Sequence, residues 1–274
     1  FEIGADDFFT KPVALIELKA RMHSLVKVKA YNDNMIEDQR KLEAEVAKRT
    51  EQIQLVNDKI KASTLETIIR LSRAAEYRDE ETGSHIQRMS HYAVALARKM
   101  GFDEHFIETI LYALPMHDIG KIGVPDHILL KMGKLEPSEW EVMKQHTIIG
   151  GKILEGSDSE FIETGRIIAL THHEKWNGKG YPKGLKGSKI PLVGRIASIA
   201  DVFDALTTKR PYRDKPFPLE KTFAMILEGR ETDFDPEIVD TFLAIKEELV
   251  AIKDKNQDQD ESMLIQLSRK ASTL

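Results

Sequence analysis

The chain has 274 residues, 41% hydrophobic and 31% charged, with a formal net charge of −5. That length allows one large domain or two smaller ones, and the acidic balance argues against a nucleic-acid duplex as partner, because phosphate neutralisation needs a basic face. The lack of cysteine excludes disulfides and thiolate metal sites, so a metal would have to be held by His, Asp and Glu. No run approaches the roughly 18 apolar residues of a membrane span, and a cytoplasmic location is expected.

In chain order, Gly4-Ala5-Asp6-Asp7-Phe8-Phe9-Thr10-Lys11-Pro12 reads as a short strand and turn, and Val13 to Leu25 has helical periodicity. An ordinary strand–turn–helix would read the same way. The stretch also resembles the last strand and helix of a response-regulator receiver domain, whose loop carries a Lys-Pro pair. That resemblance implies that residues 1–27 are the end of such a domain and that Lys11 contacts a phosphorylated aspartate lying upstream. It also implies a cognate sensor histidine kinase as a partner.

Residues 28–78 are expected to form a helical linker. From Lys29 to Asp79 there is no Pro or Gly, and Met35, Leu42, Val46, Ile53, Val56 and Ile60 recur in alternating steps of four and three, interrupted by Gln39, Arg49 and Ser63. This is a heptad seam, which predicts a coiled-coil homodimer rather than a single amphipathic helix packed on its own domain. The polar Gln39 and Arg49 weaken the seam, as suits a linker that rotates or changes register.

Residues 79–253 read as helices throughout, giving a mainly all-α fold. Asp103 is placed to cap a helix through Tyr112, and Pro137 to start one ending near His146. Further helices are expected over Ser159–His172, Pro191–Thr208 and from Asp235-Pro236 to Ile252. Residues 254–274 form a polar tail.

The chemistry-bearing residues of this region are histidines and carboxylates. Glu81 and His85, four apart, would share one helix face. His117-Asp118 follows an apolar helix, His146 ends the helix bearing Trp140, and His172-His173 closes another. Asp201 sits in the apolar stretch Ile196–Leu206, where an unpaired carboxylate is costly. A single buried histidine is as a rule a hydrogen-bonded core residue. Several imidazoles and acids near helix ends point instead to metal ions, with a carboxylate able to bridge two of them.

At His117-Asp118-Ile119-Gly120-Lys121 and His172-His173-Glu174-Lys175-Trp176-Asn177-Gly178-Lys179-Gly180-Tyr181-Pro182 the chain resembles the HD-GYP phosphodiesterases. Residues 195–213 (Arg-Ile-Ala-Ser-Ile-Ala-Asp-Val-Phe-Asp-Ala-Leu-Thr-Thr-Lys-Arg-Pro-Tyr-Arg) and Phe234-Asp235-Pro236 extend the likeness to roughly residues 75–250. The resemblance implies an HD-type helical phosphohydrolase domain with His117, Asp118, His146, His172, His173 and Asp201 as metal ligands, Asp118 bridging. Glu81 and His85 match the extra ligands of members holding three metals. Two or three divalent ions, Fe or Mn, are thus implied. Lys121 would touch the scissile phosphate, Tyr181 would lie beside a base or phosphate, and Arg210 and Arg213 would bind phosphate or a guanine edge. The implied reaction is hydrolysis of cyclic di-GMP to linear pGpG, with GMP as an alternative end product. Asn177 departs from the family's more frequent Asp, but it can still cap the turn. Gly178, Gly180 and Pro182 are expected in a loop beside the site, where glycine lets backbone approach a ligand.

Other readings remain. His173-Glu174 has no histidine four residues after His173, so a zincin helix fails, and Gly178-Lys179-Gly180 lacks P-loop spacing. A mononucleotide-cleaving HD hydrolase would share the His-Asp pair, although the Gly180-Tyr181-Pro182 loop speaks against it. Hydrolysis of another cyclic dinucleotide is a further alternative, as is a sensor that binds one without turnover.

Overall fold

The computed structural model describes residues 8, 12–76, 78, 84–209 and 215–255. The expected strand through Lys11, the ligand Glu81, the phosphate-binding Arg210 and Arg213, and the polar tail beyond residue 255 lie outside the described residues. The chain divides into two compact units, residues 1–60 and 61–274.

In the first unit the described chain is almost wholly helix, belonging to α1 (Leu15–Glu76), which runs without a break past the boundary expected at residue 27. The absence of Pro and Gly permits this length. Pairs four apart, Glu17–Arg21 at 3.1 Å, Glu37–Lys41 at 2.7 Å and Glu45–Arg49 at 2.6 Å, line its surface. Such exposed pairs add only about 0.3–0.5 kcal/mol each. The seam residues Met35, Leu42, Val46, Ile53, Val56 and Ile60 are all exposed along this helix.

The second unit takes in the end of α1, where Leu65, Ile68 and Ile69 are buried. Nine further helices are seen among its described residues: α2 (Ser84–Lys99), α3 (Glu104–Ala113), α4 (Asp126–Leu129), α5 (Pro137–Ile153), α6 (Glu160–Thr171), α7 (Leu192–Thr207), α8 (Leu219–Glu228), α9 (Pro236–Ala244) and α10 (Lys246–Lys255). Two short 3₁₀ stretches, Leu114–Met116 and Ile119–Gly123, flank residues 117 and 118. Among the described residues there is no strand, only an isolated bridge between Arg230 and Phe234. No helix among them is long and apolar enough to cross a membrane.

Helices α2, α3, α6 and α7 pack in successive contact, with α5 against α6 and α10 against α2. The centre of the core is an edge-on run of rings, with Tyr92 on Phe203 at 5.0 Å and Phe203 on Phe242 at 5.1 Å. All three side chains are fully buried, and each large apolar group so buried stabilises the fold by roughly 1.5–3 kcal/mol. Asp103 caps α3 by accepting from Phe106 N, and Asp235 caps α9 by accepting from Glu237 N.

Two helices differ from the expected spans. α5 continues past His146 to Ile153, because Gly150 and Gly151 serve close packing rather than a stop. A side chain at either would run into Ala169 or Leu170 of α6. The final helix is broken at Ile245. The break turns Val239 and Phe242 before it, and Leu249 after it, toward the same core.

Candidate metal centre

Five segments of the second unit deliver the site. His85 comes from α2, His146 from α5 and Asp201 from α7, while His172 ends α6 and His173 follows it. His117 and Asp118 stand between the two 3₁₀ stretches. Pro115 in the first turn helps to end the α-helical hydrogen bonding there, and the tighter turns leave both side chains aimed inward. His117 is 1% exposed and Asp118 8%.

The described donors fall into two groups, one of Asp118, His146, His172 and His173 and the other of His85, His117 and Asp201. Within each group all ligand atoms lie within 4.8 Å of one another. Asp118 joins them: its Oδ1 is 3.3 Å from His146 Nε2 and 3.4 Å from His172 Nε2, and its Oδ2 is 3.3 Å from His117 Nε2. The structure thus brings together His85, His117, Asp118, His146, His172, His173 and Asp201.

The main chain fixes the tautomer of three imidazoles. His117 Nδ1 donates to Leu114 O at 3.1 Å, His146 Nδ1 to Met143 O at 2.7 Å and His172 Nδ1 to Ile168 O at 3.0 Å. In the neutral ring each Nε2 therefore carries a lone pair. Those three Nε2 atoms and Asp118 Oδ1 are buried without a hydrogen-bond partner. Leaving one such group unpaired costs about 1–3 kcal/mol, and lone pairs converging on a carboxylate oxygen repel. A cation between them removes both penalties, so the donor set fits divalent metal.

At His146 and His173 the electrostatics agree. Burial holds the His146 imidazole down to about 4, and burial with the neighbouring His172 and His146 holds His173 well below its ordinary value. Both are therefore neutral near pH 7, as a metal ligand must be. Burial also opposes charge on His117, but Asp118 and Asp201 outweigh it and raise the imidazole. Burial alone would raise Asp118, yet Lys121 and His117 hold its carboxyl well below the usual range.

Lys121 is positioned by the second 3₁₀ stretch with its ammonium 2.9 Å from Asp118 Oδ2. Arg78 clamps this stretch by donating to Ile122 O at 2.5 Å and Val124 O at 3.1 Å. Gly120 sits directly on α5, where an added Cβ would come within 1.9 Å of His146 O and 2.4 Å of Gly150 N. Backbone atoms cannot yield cheaply. Gly120→Ala should therefore cost about 1–3 kcal/mol, as overpacking does. It should also push α5 outward, which separates His146 from Asp118. Calorimetric unfolding and metal titration check this; unchanged metal affinity would show that the contact does not set the ligand spacing.

Tyr181 lies 4.8 Å from His173 and 6.3 Å from His146, ring to ring. Burial raises its phenol, as do the carboxylates of Asp118 and Asp201. The loop that carries it is pinned by Glu174, which is 2% exposed and accepts from Lys183 N at 2.8 Å and Leu185 N at 2.9 Å. Asn177 does cap its turn, accepting from Lys179 N at 2.9 Å. The close approach at Gly180 is to the chain's own backbone, since a Cβ there would meet Lys175 N at 2.2 Å.

Sequence reasoning missed a buried anchor behind His85. Asp204 accepts from His85 Nδ1 at 2.7 Å, from Arg88 Nε at 2.6 Å and from Arg88 Nη2 at 2.9 Å. Burial would raise its carboxyl, but Arg88 and His85 bring it down to about 2. A carboxylate of this kind orients a metal-binding imidazole and raises its basicity. The available signal was spacing, since Asp204 follows Asp201 by three residues and Arg88 follows His85 by three. Phe234-Asp235-Pro236 is a structural element, because Asp235 caps α9 and pairs with Arg195 of α7.

Residues 64–238 match the HD domain family. The chain is 40% identical over 264 residues to a cyclic di-GMP phosphodiesterase of Thermotoga maritima, covering 95% of this chain and 71% of that protein. It is 40% identical over 251 residues to the cyclic di-GMP phosphodiesterase response regulator RpfG of Xanthomonas campestris, covering 92% and 64%. The chain thus spans about two thirds of the length of these relatives. A solved Vibrio cholerae cyclic GMP-AMP-specific phosphodiesterase shares the fold at a TM-score of 0.55 and 19% identity, over 75% of this chain and 53% of that one.

Proposed function

We propose that this chain, which belongs to the HD domain family and within it to the HD-GYP phosphodiesterases, hydrolyses cyclic di-GMP to linear pGpG. The observation that carries this is the convergence of three unpartnered, buried imidazole nitrogens on Asp118.

In this reading His117, Asp118, His146, His172, His173 and Asp201 would hold two divalent ions, Fe or Mn. His85 with Glu81 would add a third. Such ions supply positive charge to the phosphate oxygens and acidify water at neutral pH. The chain's own groups do the rest. Lys121 sets an ammonium where negative charge builds on the phosphate oxygens. Tyr181, with its phenol held protonated, donates a hydrogen bond beside the site. Arg210 and Arg213 complete the anion binding. Asp204 and Arg88 hold His85 in place, and Glu174 holds the loop that bears Tyr181.

The exposed seam of α1 supports a coiled-coil homodimer. The Lys11-Pro12 segment and the likeness to a response regulator support a sensor histidine kinase as the upstream partner, and with it a cytoplasmic location.

The test is product analysis of metal-loaded protein given cyclic di-GMP, 3′3′-cyclic GMP-AMP or a deoxynucleoside triphosphate, before and after chelation. Linear dinucleotide from cyclic di-GMP, lost with chelator and restored by Mn or Fe, is the expected result. Tight binding without product would identify a sensor instead. Turnover of the triphosphate alone would identify a nucleotidase.

A further inference from the structure

Trp140 is 44% exposed on α5 and belongs to none of the apolar clusters formed by the described residues. Its indole nevertheless has a fixed neighbour: it meets the Tyr181 ring edge to face, at 6.0 Å and 80°. Tyr181 lies in turn over His173, tilted by 35°. A continuous row of rings therefore runs from the ion-binding imidazoles to an indole open to solvent. Lys144, one turn along α5 from Trp140, places its ammonium 5.9 Å from the centre of the Tyr181 ring. Its ion-pair partner is the exposed Glu141. A large aromatic held at the rim but not used by the core is suited to an aromatic ligand, and the nearby ammonium suits an anionic one.

We propose that Trp140, braced by Tyr181, is the stacking platform for a nucleobase of the substrate and so determines specificity for dinucleotides. This rests on the phosphodiesterase reading. In a dinucleotide one ribose separates each base from its phosphate. A phosphate bound at Lys121 and the ions that the ligands would hold therefore projects a base toward the rim, where Tyr181 and then Trp140 stand. Lys144 adds charge attraction there. Stacking on an aromatic face binds any base, and a purine offers the larger face.

The experiment compares wild type, Trp140→Ala and Trp140→Phe on two substrates, cyclic di-GMP and methyl p-nitrophenyl phosphate. The second is a phosphodiester that carries no nucleobase. Trp140→Ala should raise KM for cyclic di-GMP about tenfold, as loss of one stacked base does. It should leave kcat, metal content and turnover of the aryl ester unchanged, and Trp140→Phe should recover most of the loss. An unchanged KM, or an equal loss on both substrates, would overturn the proposal. If wild type cleaves the aryl ester but no dinucleotide, the substrate reading fails separately. Trp140 is then judged by fluorescence: cyclic di-GMP should quench wild type and not Trp140→Phe, and identical traces would reject the platform.

Discussion

Asp118→Ala should leave a folded, helical protein with no measurable phosphodiesterase activity and a metal content near zero. Both donor groups meet at this carboxylate, whose two oxygens lie 3.3–3.4 Å from three different imidazoles. Without it, ions held as proposed in adjacent sites would lose the shared negative charge that offsets their repulsion. The loss should therefore exceed that from removing any single histidine, which leaves the bridge intact. Metal analysis of both variants, with circular dichroism as the control for folding, checks this. An Asp118→Ala protein that retained full metal content and turnover would dismantle the assigned centre.

Asp204→Asn should be the most destabilising conservative change near the site, at about 3–5 kcal/mol, the usual cost of stripping one partner from a buried ion pair. Asp204 is fully buried and both oxygens are engaged. An amide offers one acceptor where two are needed. Its NH₂ must face a donor of Arg88 or His85, and the guanidinium charge is left uncompensated. The carboxyl is brought from 3.8 to about 2. A lowered folded-state pKa contributes stability that is fully present above the unfolded value of 3.8 and is lost as pH falls toward 2. Asn should accordingly remove this share of the acid sensitivity while lowering stability at neutral pH. Denaturant unfolding at pH 7 and pH 3 measures both. Metal titration should show weakened binding at the group containing His85, with the group around His146 retained. A stability loss below about 1 kcal/mol would mean that Arg88 finds another partner.

Much of this was legible in the sequence, because local rules decide it. Asp103 and Asp235 start helices where capping chemistry places them, and the histidines and acids of the centre stand at helix ends or on apolar faces. What stayed hidden depends on distant pairing. Asp204 and Arg88 are 116 positions apart, and nothing local marks one as the other's counterion. Gly120, Gly150 and Gly151 are small because another segment lies against each, a reason that only the folded chain displays. The break at Ile245 has no Pro or Gly to announce it; core packing on both sides imposes it.

The way the imidazoles are held bears on the field the substrate meets. Three of them lean on main-chain carbonyls, which carry no net charge. His85 leans on an acid whose charge Arg88 offsets. Little anionic character is therefore spent on orientation. Cations seated among these nitrogens would be left under-neutralised, and with the Lys121 ammonium beside them would attract the doubly negative cyclic ligand proposed as substrate, within a chain that is acidic overall.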